Sequence, residues 1–266
     1  MDKIGIIAGK GALPMEFLDE ARQDGRKITV FALQGITDKT ITEHAEKVYW
    51  LKVGEFKKFA FLLIRDRIKQ LALLGKVDKS ILYREHGQDD EYRKSYARIG
   101  DTKDYSILQE VTRRLGFIGV SVMDSTVYLK HLLPEKGFLG SVRPDDTTEK
   151  DISFGYDIAK KISGMDIGQT VVVKGGTIVA VEAIEGTDET IKRAGALAGS
   201  GCVMVKVSRP HQDMRWDVPT IGADTIRTLV ENKFKALAIE SGRMFVMDRQ
   251  QVADMSGQAD ITIKVI

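Results

Sequence analysis

The stretch Lys3-Ile4-Gly5-Ile6-Ile7-Ala8-Gly9-Lys10-Gly11-Ala12-Leu13-Pro14 decides the fold. A short apolar run stops at a pair of glycines, and residues 15–23 follow with Phe17, Leu18 and Ala21 on one helical face. Strand, glycine turn and helix in that order open a parallel α/β unit. The alternation continues outward from there. Gly25 ends the helix, residues 27–32 read as a second strand and 48–53 as a third. Residues 56–69 read as a helix, with Phe56, Phe59, Ala60, Leu63 and Ile64 at three- and four-residue steps. A compact strand at 71–74 ends at Gly75-Lys76. Beyond a charged stretch, 78–103, a helix is expected over 105–115 and a strand over 117–122. Residues 1–133 are thus expected to form a Rossmann-like domain built on a parallel sheet.

Residues 134–148 read as a connector with Gly137, Gly140 and Pro144. A helix is expected over 149–163, and 170–174 with 177–183 make a hairpin around Gly175-Gly176, a pair able to take positive φ. Helical patterns at 188–197 and 223–232 alternate with strand-like runs at 203–207, 236–239, 244–247 and 261–265. The fold class is α/β. The second domain, 149–266, has strands of mixed direction and carries the candidate catalytic carboxylates.

Composition bounds the function. Of 266 residues, 40 are Lys or Arg and 38 Asp or Glu, a net charge of +2, which argues against a nucleic-acid binder. The longest stretch without a charged residue, 194–205, has 12 residues, and a membrane-spanning helix needs about 20. The N-terminus lacks the layout of a signal peptide. One cysteine, Cys202, excludes an intramolecular disulfide framework and a cysteine-cluster zinc site. A cytoplasmic location is expected.

Four motifs carry chemistry. Gly9-x-Gly11-x-x-Pro14 lets the backbone turn tightly beside the start of a helix, so it reads either as a plain turn or as a phosphate or sugar site. It departs from the dinucleotide fingerprint at Pro14, and the second strand runs into Leu33-Gln34-Gly35 with no acid for a ribose. Gly75-Lys76 ends a strand and reads as a surface turn or as a lysine offered to phosphate. In Glu182-Ala183-Ile184-Glu185-Gly186-Thr187-Asp188, helix capping by Thr187 or Asp188 explains one acidic group. Glu182 and Glu185 remain for a catalytic or metal role. The segment from Lys206 to Gly222 holds Arg209, His211, Gln212, Asp213, Arg215, Asp217 and Thr220 together with two prolines, Pro210 and Pro219. It reads either as a salt-bridged surface loop or as a diphosphate site with a divalent metal, since cations beside carboxylates suit both, and hard oxygen ligands would mean Mg²⁺ or Mn²⁺.

These motifs together resemble one family. Gly5-Ile6-Ile7-Ala8-Gly9-x-Gly11-x-Leu13-Pro14, Leu74-Gly75-Lys76-Val77 and Asp166-Ile167-Gly168-Gln169-Thr170-Val171-Val172-Val173 come first in order. The run 180–188 and Gln212-Asp213-x-Arg215-x-Asp217-x-Pro219-Thr220-Ile221-Gly222 complete the set. The chain is similar over nearly its whole length to the LpxI-type UDP-2,3-diacylglucosamine diphosphatases of lipid A synthesis.

The resemblance implies hydrolysis of UDP-2,3-diacylglucosamine to UMP and 2,3-diacylglucosamine 1-phosphate (lipid X), with attack on the sugar-side phosphorus, a divalent cation and a substrate lying between two domains. It carries the family's essential aspartate onto Asp217, to hold the metal or orient the water, with Asp213 as the second choice for a metal ligand. Lys206 and Arg215 would take phosphate charge. Gly9, Gly11, Gly75 and Lys76 would contact substrate from the first domain. Gln212, Thr187 and Thr220 complete the expected substrate contacts, and Glu185 and Asp188 stand near the metal or substrate. Because the implied substrate carries two acyl chains, peripheral contact with the inner membrane is the most that is expected. Phe138, Leu139, Trp216 and Val218 are candidate lining residues, with core packing as the plainer role for each. Two other readings stay open: an NAD(P)-dependent oxidoreductase, and a non-catalytic nucleotide-sugar binding module.

Overall fold

A computed structural model describes residues 3–77 and 104–266, so the charged stretch 78–103 lies outside the described residues. The chain forms two compact units, Met1–Leu129 with Asp213–Asp217, and Lys130–Gln212 with Val218–Ile266.

The first unit runs β1 (Lys3–Ala8), α1 (Leu13–Gln23), β2 (Ile28–Leu33), α2 (Ile41–His44), β3 (Lys47–Leu51), α3 (Phe56–Asp66), β4 (Ile68–Leu74), α4 (Asp104–Phe117) and β5 (Ser121–Val122). All five strands are parallel, in the order β3-β2-β1-β4-β5. Strand order therefore reverses between β1 and β4. Right-handed crossovers put α1 on one face of such a sheet and α3 and α4 on the other. Accordingly Phe59, Leu62 and Leu63 of α3 and Leu115 of α4 share a core with Phe31, Leu51, Ile68 and Leu71.

Trp216 belongs to that same core and is 2% exposed. The sequence reading places 213–217 in the C-terminal domain. Its packing is with the first unit, because the indole finds its apolar surroundings there. Trp216 is thus core, its plainer role.

Two boundaries differ from the sequence pattern. The helix expected to reach residue 69 stops at Asp66, where Arg67 turns left-handed (φ 57°), and Ile68 already belongs to β4. Polar Lys69 and Gln70 at the start of that strand imitate a helix tail. The run 117–122 yields only two strand residues, because Phe117 ends α4 and Gly119 turns the chain at φ 74°.

In the second unit a six-stranded sheet has the order β6-β13-β11-β9-β7-β8. Its strands are β6 (Gly137–Leu139), β7 (Thr170–Lys174), β8 (Thr177–Val181), β9 (Val203–Lys206), β11 (Ala236–Ile239) and β13 (Thr262–Val265). The last three are parallel, while β6 and β7 run against them. A short parallel pair, β10 (Thr220–Ile221) with β12 (Phe245–Val246), stands apart. The helices are α5 (Asp146–Gly164), α6 (Thr187–Ala198), α7 (Ala223–Glu231) and α8 (Arg249–Gln258).

Strand periodicity sorts the two faces. Val171, Val173, Val203, Val205, Ala236 and Ala238 meet Ile152 and Ala159 of α5. The intervening Val172, Met204, Leu237 and Ile239 meet Ile191, Ile226, Leu229 and Val252 of α6, α7 and α8. The sequence reading runs the connector through β6 and passes over α8. The first is a three-residue edge strand, and the second is a polar helix started by the Asp248 carboxylate accepting from Gln251 N at 3.0 Å.

Candidate active site

Open parallel sheets bind ligands beyond the carboxyl ends of their strands, where strand order reverses. In the first unit that place lies past β1 and β4. Gly9 N donates to Leu74 O (2.7 Å), and Lys10 and Lys76 exchange two backbone bonds of 2.8 and 3.0 Å. Here the backbones nearly touch. A Cβ on Gly9 would lie 2.8 Å from Lys76 O, and one on Gly75 would lie 2.9 Å from the carbonyl carbon of Gly9. Both glycines are therefore required by close approach, and they bring Gly9, Gly11, Gly75 and Lys76 to one edge. The Thr37 hydroxyl, which the sequence reading passes over, donates to Ala8 O and accepts from Leu33 N, tying the ends of β1 and β2 together.

The segment 213–217 is held at this same edge. Past the end of β5, Ser125 donates from N (3.3 Å) and Oγ (2.7 Å) to Met214 O, and Trp216 fills the core. Asp213 accepts from Arg215 through both carboxylate oxygens, at 2.6 to 3.0 Å, and again from Arg215 N. The hydrogen bonds from Arg215 outweigh partial burial and hold the Asp213 carboxyl below its usual range. The Arg215 guanidinium also lies over the Trp216 ring, 4.5 Å from the centroid. Asp217 is exposed and left-handed (φ 51°), a conformation aspartate tolerates better than most residues.

The second unit assembles a buried polar cluster at the carboxyl end of β9. Lys206 Nζ donates to Thr187 Oγ1 (2.6 Å) and Thr170 Oγ1 (3.4 Å), and stands 4.0 Å from Glu182 Oε2. Thr187 Oγ1 donates to Glu182 Oε1 at 2.8 Å, and Gln169 N to Glu182 Oε2 at 3.2 Å. The Lys206 and Glu182 side chains are 9% and 12% exposed. Burial alone would raise the Glu182 carboxyl. The Lys206 charge, with the Thr170 and Thr187 hydroxyls and the Gln169 amide, outweighs it and holds the group below the usual glutamate range. Gly168 makes room for this strand end, since a Cβ there would lie 2.0 Å from Glu182 O.

The expected helix cap is absent here. The N-cap of α6 is Gly186, without a side-chain bond, and the Thr187 hydroxyl turns to Lys206 and Glu182 instead. Glu185 accepts from Arg193 (2.6 Å), Thr190 Oγ1 (3.2 Å) and Ala183 N (3.1 Å), which makes it a clasp for the loop before α6. Asp188 is exposed in the first turn of α6, and Thr220 Oγ1 donates to Val218 O on the surface. Gln212 is buried in the second unit, next to the 213–217 segment in sequence. Thr170 is a residue the sequence reading misses, because a threonine in a β-branched run reads as strand. The same holds for Ser208 and Glu240, which Lys160 joins at the ends of β9 and β11.

The two aspartates stand in different surroundings: Asp213 accepts from Arg215 through both oxygens, and Asp217 is exposed. Mg²⁺ is commonly held by one or two carboxylates, with substrate phosphates and water supplying the rest. The donor chemistry of both aspartates suits that mode, with Asp213 the more heavily hydrogen-bonded of the two in its contacts to Arg215.

Two family models now account for the chain from end to end. The LpxI N-terminal domain matches residues 3–132 and the LpxI C-terminal domain matches residues 135–264. The chain belongs to the LpxI family. A relative from Caulobacter vibrioides, the UDP-2,3-diacylglucosamine pyrophosphatase LpxI, is 30% identical over 263 residues, covering 95% of this chain and 93% of that protein. That LpxI enzyme is a hydrolase of a diphosphate bond. Among solved structures, the biotin carboxylase domain of a thermophilic 2-oxoglutarate carboxylase is 11% identical with a TM-score of 0.28, over 67% of this chain and 38% of that one. An L-amino acid ligase from Bacillus licheniformis is 11% identical with a TM-score of 0.29, over 74% of this chain and 41% of that one. The chain thus spans less than half of either structure, in contrast to its end-to-end match with the LpxI models.

Proposed function

We propose that this LpxI-family chain hydrolyses UDP-2,3-diacylglucosamine to UMP and 2,3-diacylglucosamine 1-phosphate in lipid A synthesis. The observation that carries the reading is the match of both LpxI domain models, in order, over nearly the whole chain, with a named pyrophosphatase aligned over 95% of it. In the reaction one P–O bond of the anhydride breaks, water oxygen joins the attacked phosphorus, and a proton is released.

Each residue's chemistry suits this reading. Asp217, exposed beside a buried tryptophan anchor, is the carboxylate that orients water or holds a divalent cation. Such a cation, when bound, neutralises diphosphate charge and acidifies water. Asp213 braces Arg215, fixing the position of a guanidinium whose charge suits phosphate. Lys206 keeps its ammonium ordered against Thr187, Thr170 and Glu182. The close crossing of Gly9 and Gly75 offers backbone and Lys76 at the first sheet's switch point. The site of action is cytoplasmic, with peripheral contact at the inner membrane, where a diacylated substrate resides.

The test is UMP release from UDP-2,3-diacylglucosamine with Mg²⁺, with Mn²⁺, with excess EDTA, and in Asp217→Asn. Release that needs the metal and is lost in the variant supports the reading. A folded wild-type chain that releases no UMP with either metal overturns it, and retained binding would then favour a nucleotide-sugar binding module.

A further inference from the structure

On the face of the first sheet covered by α3 and α4, three large apolar side chains point away from the core. Phe61 is 61% exposed and Ile64 60%, one turn apart in the last two turns of α3, and Phe117 at the end of α4 is 76% exposed. Both helices pack into one core cluster and run back along parallel strands. Their carboxyl ends therefore share the amino edge of the sheet, opposite the Gly9–Gly75 crossing.

The charge along α3 is positive in excess. Residues 55–69 hold five cations and two carboxylates. Both carboxylates are already engaged: Glu55 accepts from Lys52 N and Lys58, and Asp66 from Lys47, Tyr49 and Arg65. On α4, Glu110 is likewise engaged by Arg113 and Arg114. Arginines lie over the exposed rings, Arg113 4.9 Å from the Phe117 centroid and Arg65 5.8 Å from that of Phe61. Arg67 and Lys69 follow on the surface.

We propose that this face, Phe61 and Ile64 of α3 with Phe117 of α4 and their flanking cations, docks on an anionic lipid bilayer. Apolar tips flanked by arginines, on a helix with an excess of cations, match a layer of acyl chains under acidic headgroups. No helix among the described residues is long and apolar enough to span the membrane, so the contact is interfacial. The inference gives the peripheral contact proposed above a place on the molecule, and it rests on none of the catalytic assignments.

The test is cosedimentation of the full chain with mixed phosphatidylglycerol–phosphatidylcholine vesicles and with phosphatidylcholine alone. The wild type is expected to bind the anionic vesicles and not the neutral ones. Phe61→Ser with Ile64→Ser is expected to lose tenfold or more in partitioning, and Arg67→Gln about fivefold. Both variants are expected to keep wild-type melting and wild-type turnover of substrate in detergent micelles. Absence of binding by the wild type, or unchanged binding in both variants, overturns the proposal. So does a fall in self-association of the Phe61→Ser, Ile64→Ser chain, which would assign the face to a second copy. Failure of micellar turnover with vesicle binding intact strikes only the hydrolase reading.

Discussion

Asp217 and Asp213 stand four residues apart with the same functional group, yet in different surroundings. The Arg215 fork occupies one, and the other is left-handed and exposed. Asp217→Asn keeps a residue at ease in that conformation and is expected to lower UMP release at least a hundredfold with no shift in melting temperature. Asp217→Ala adds backbone strain of about 1–2 kcal/mol, so the two variants separate chemistry from folding. Glu182 makes a pH prediction. Its folded carboxyl titrates below the ordinary glutamate value of 4.5, so its stabilising contribution is complete above that value and is lost as the pH falls through the lower folded one. Denaturant unfolding between neutral and acid pH should show this loss. Glu182→Gln should flatten the acid limb while costing about 3 kcal/mol at neutral pH, because Lys206 is left buried without its counter-charge.

At the scale of elements, the ends of β1 and β4 cross through two glycines and tolerate no larger residue without moving a strand. Gly9→Ala is expected to cost about 1–3 kcal/mol, measured by urea unfolding, and Gly75→Ala more, because its φ of +82° adds strain to the clash. The segment 213–217 depends on one side chain. Trp216→Ala should cost about 3–5 kcal/mol and lower turnover with it, since the neighbouring Asp217 loses its anchor. Turnover in a thermally intact Trp216→Ala chain equal to wild type would show that Asp217 does not need that placement. The elements themselves were largely legible. Val171–Val173 and Ala236–Ile239 are unbroken apolar runs of strand length, buried on both faces, and α1 shows a helical face. The start of β4 was not, because Lys69 and Gln70 are polar, and α8 has too weak an apolar stripe to announce itself.

On the whole-molecule scale, the first unit is not a contiguous stretch of chain, since its core takes Trp216 from far downstream. A fragment ending at residue 133 is therefore expected to unfold at lower denaturant than the same unit within the full chain, by a gap of tryptophan size. Equal midpoints by native-state hydrogen exchange would show that the segment adds nothing to that core. By itself the sequence determined the α/β alternation, the mixed second sheet and the family, because these rest on local periodicity and on motifs read residue by residue. Only the tertiary structure decided that Asp213 is spent on Arg215, that Thr187 serves Lys206 and Glu182 rather than its helix, and that 213–217 packs with the first unit. Those outcomes depend on which groups a distant backbone brings within hydrogen-bond reach and on where a large apolar ring finds a dry site. Neither is encoded in the spacing of neighbours along the chain.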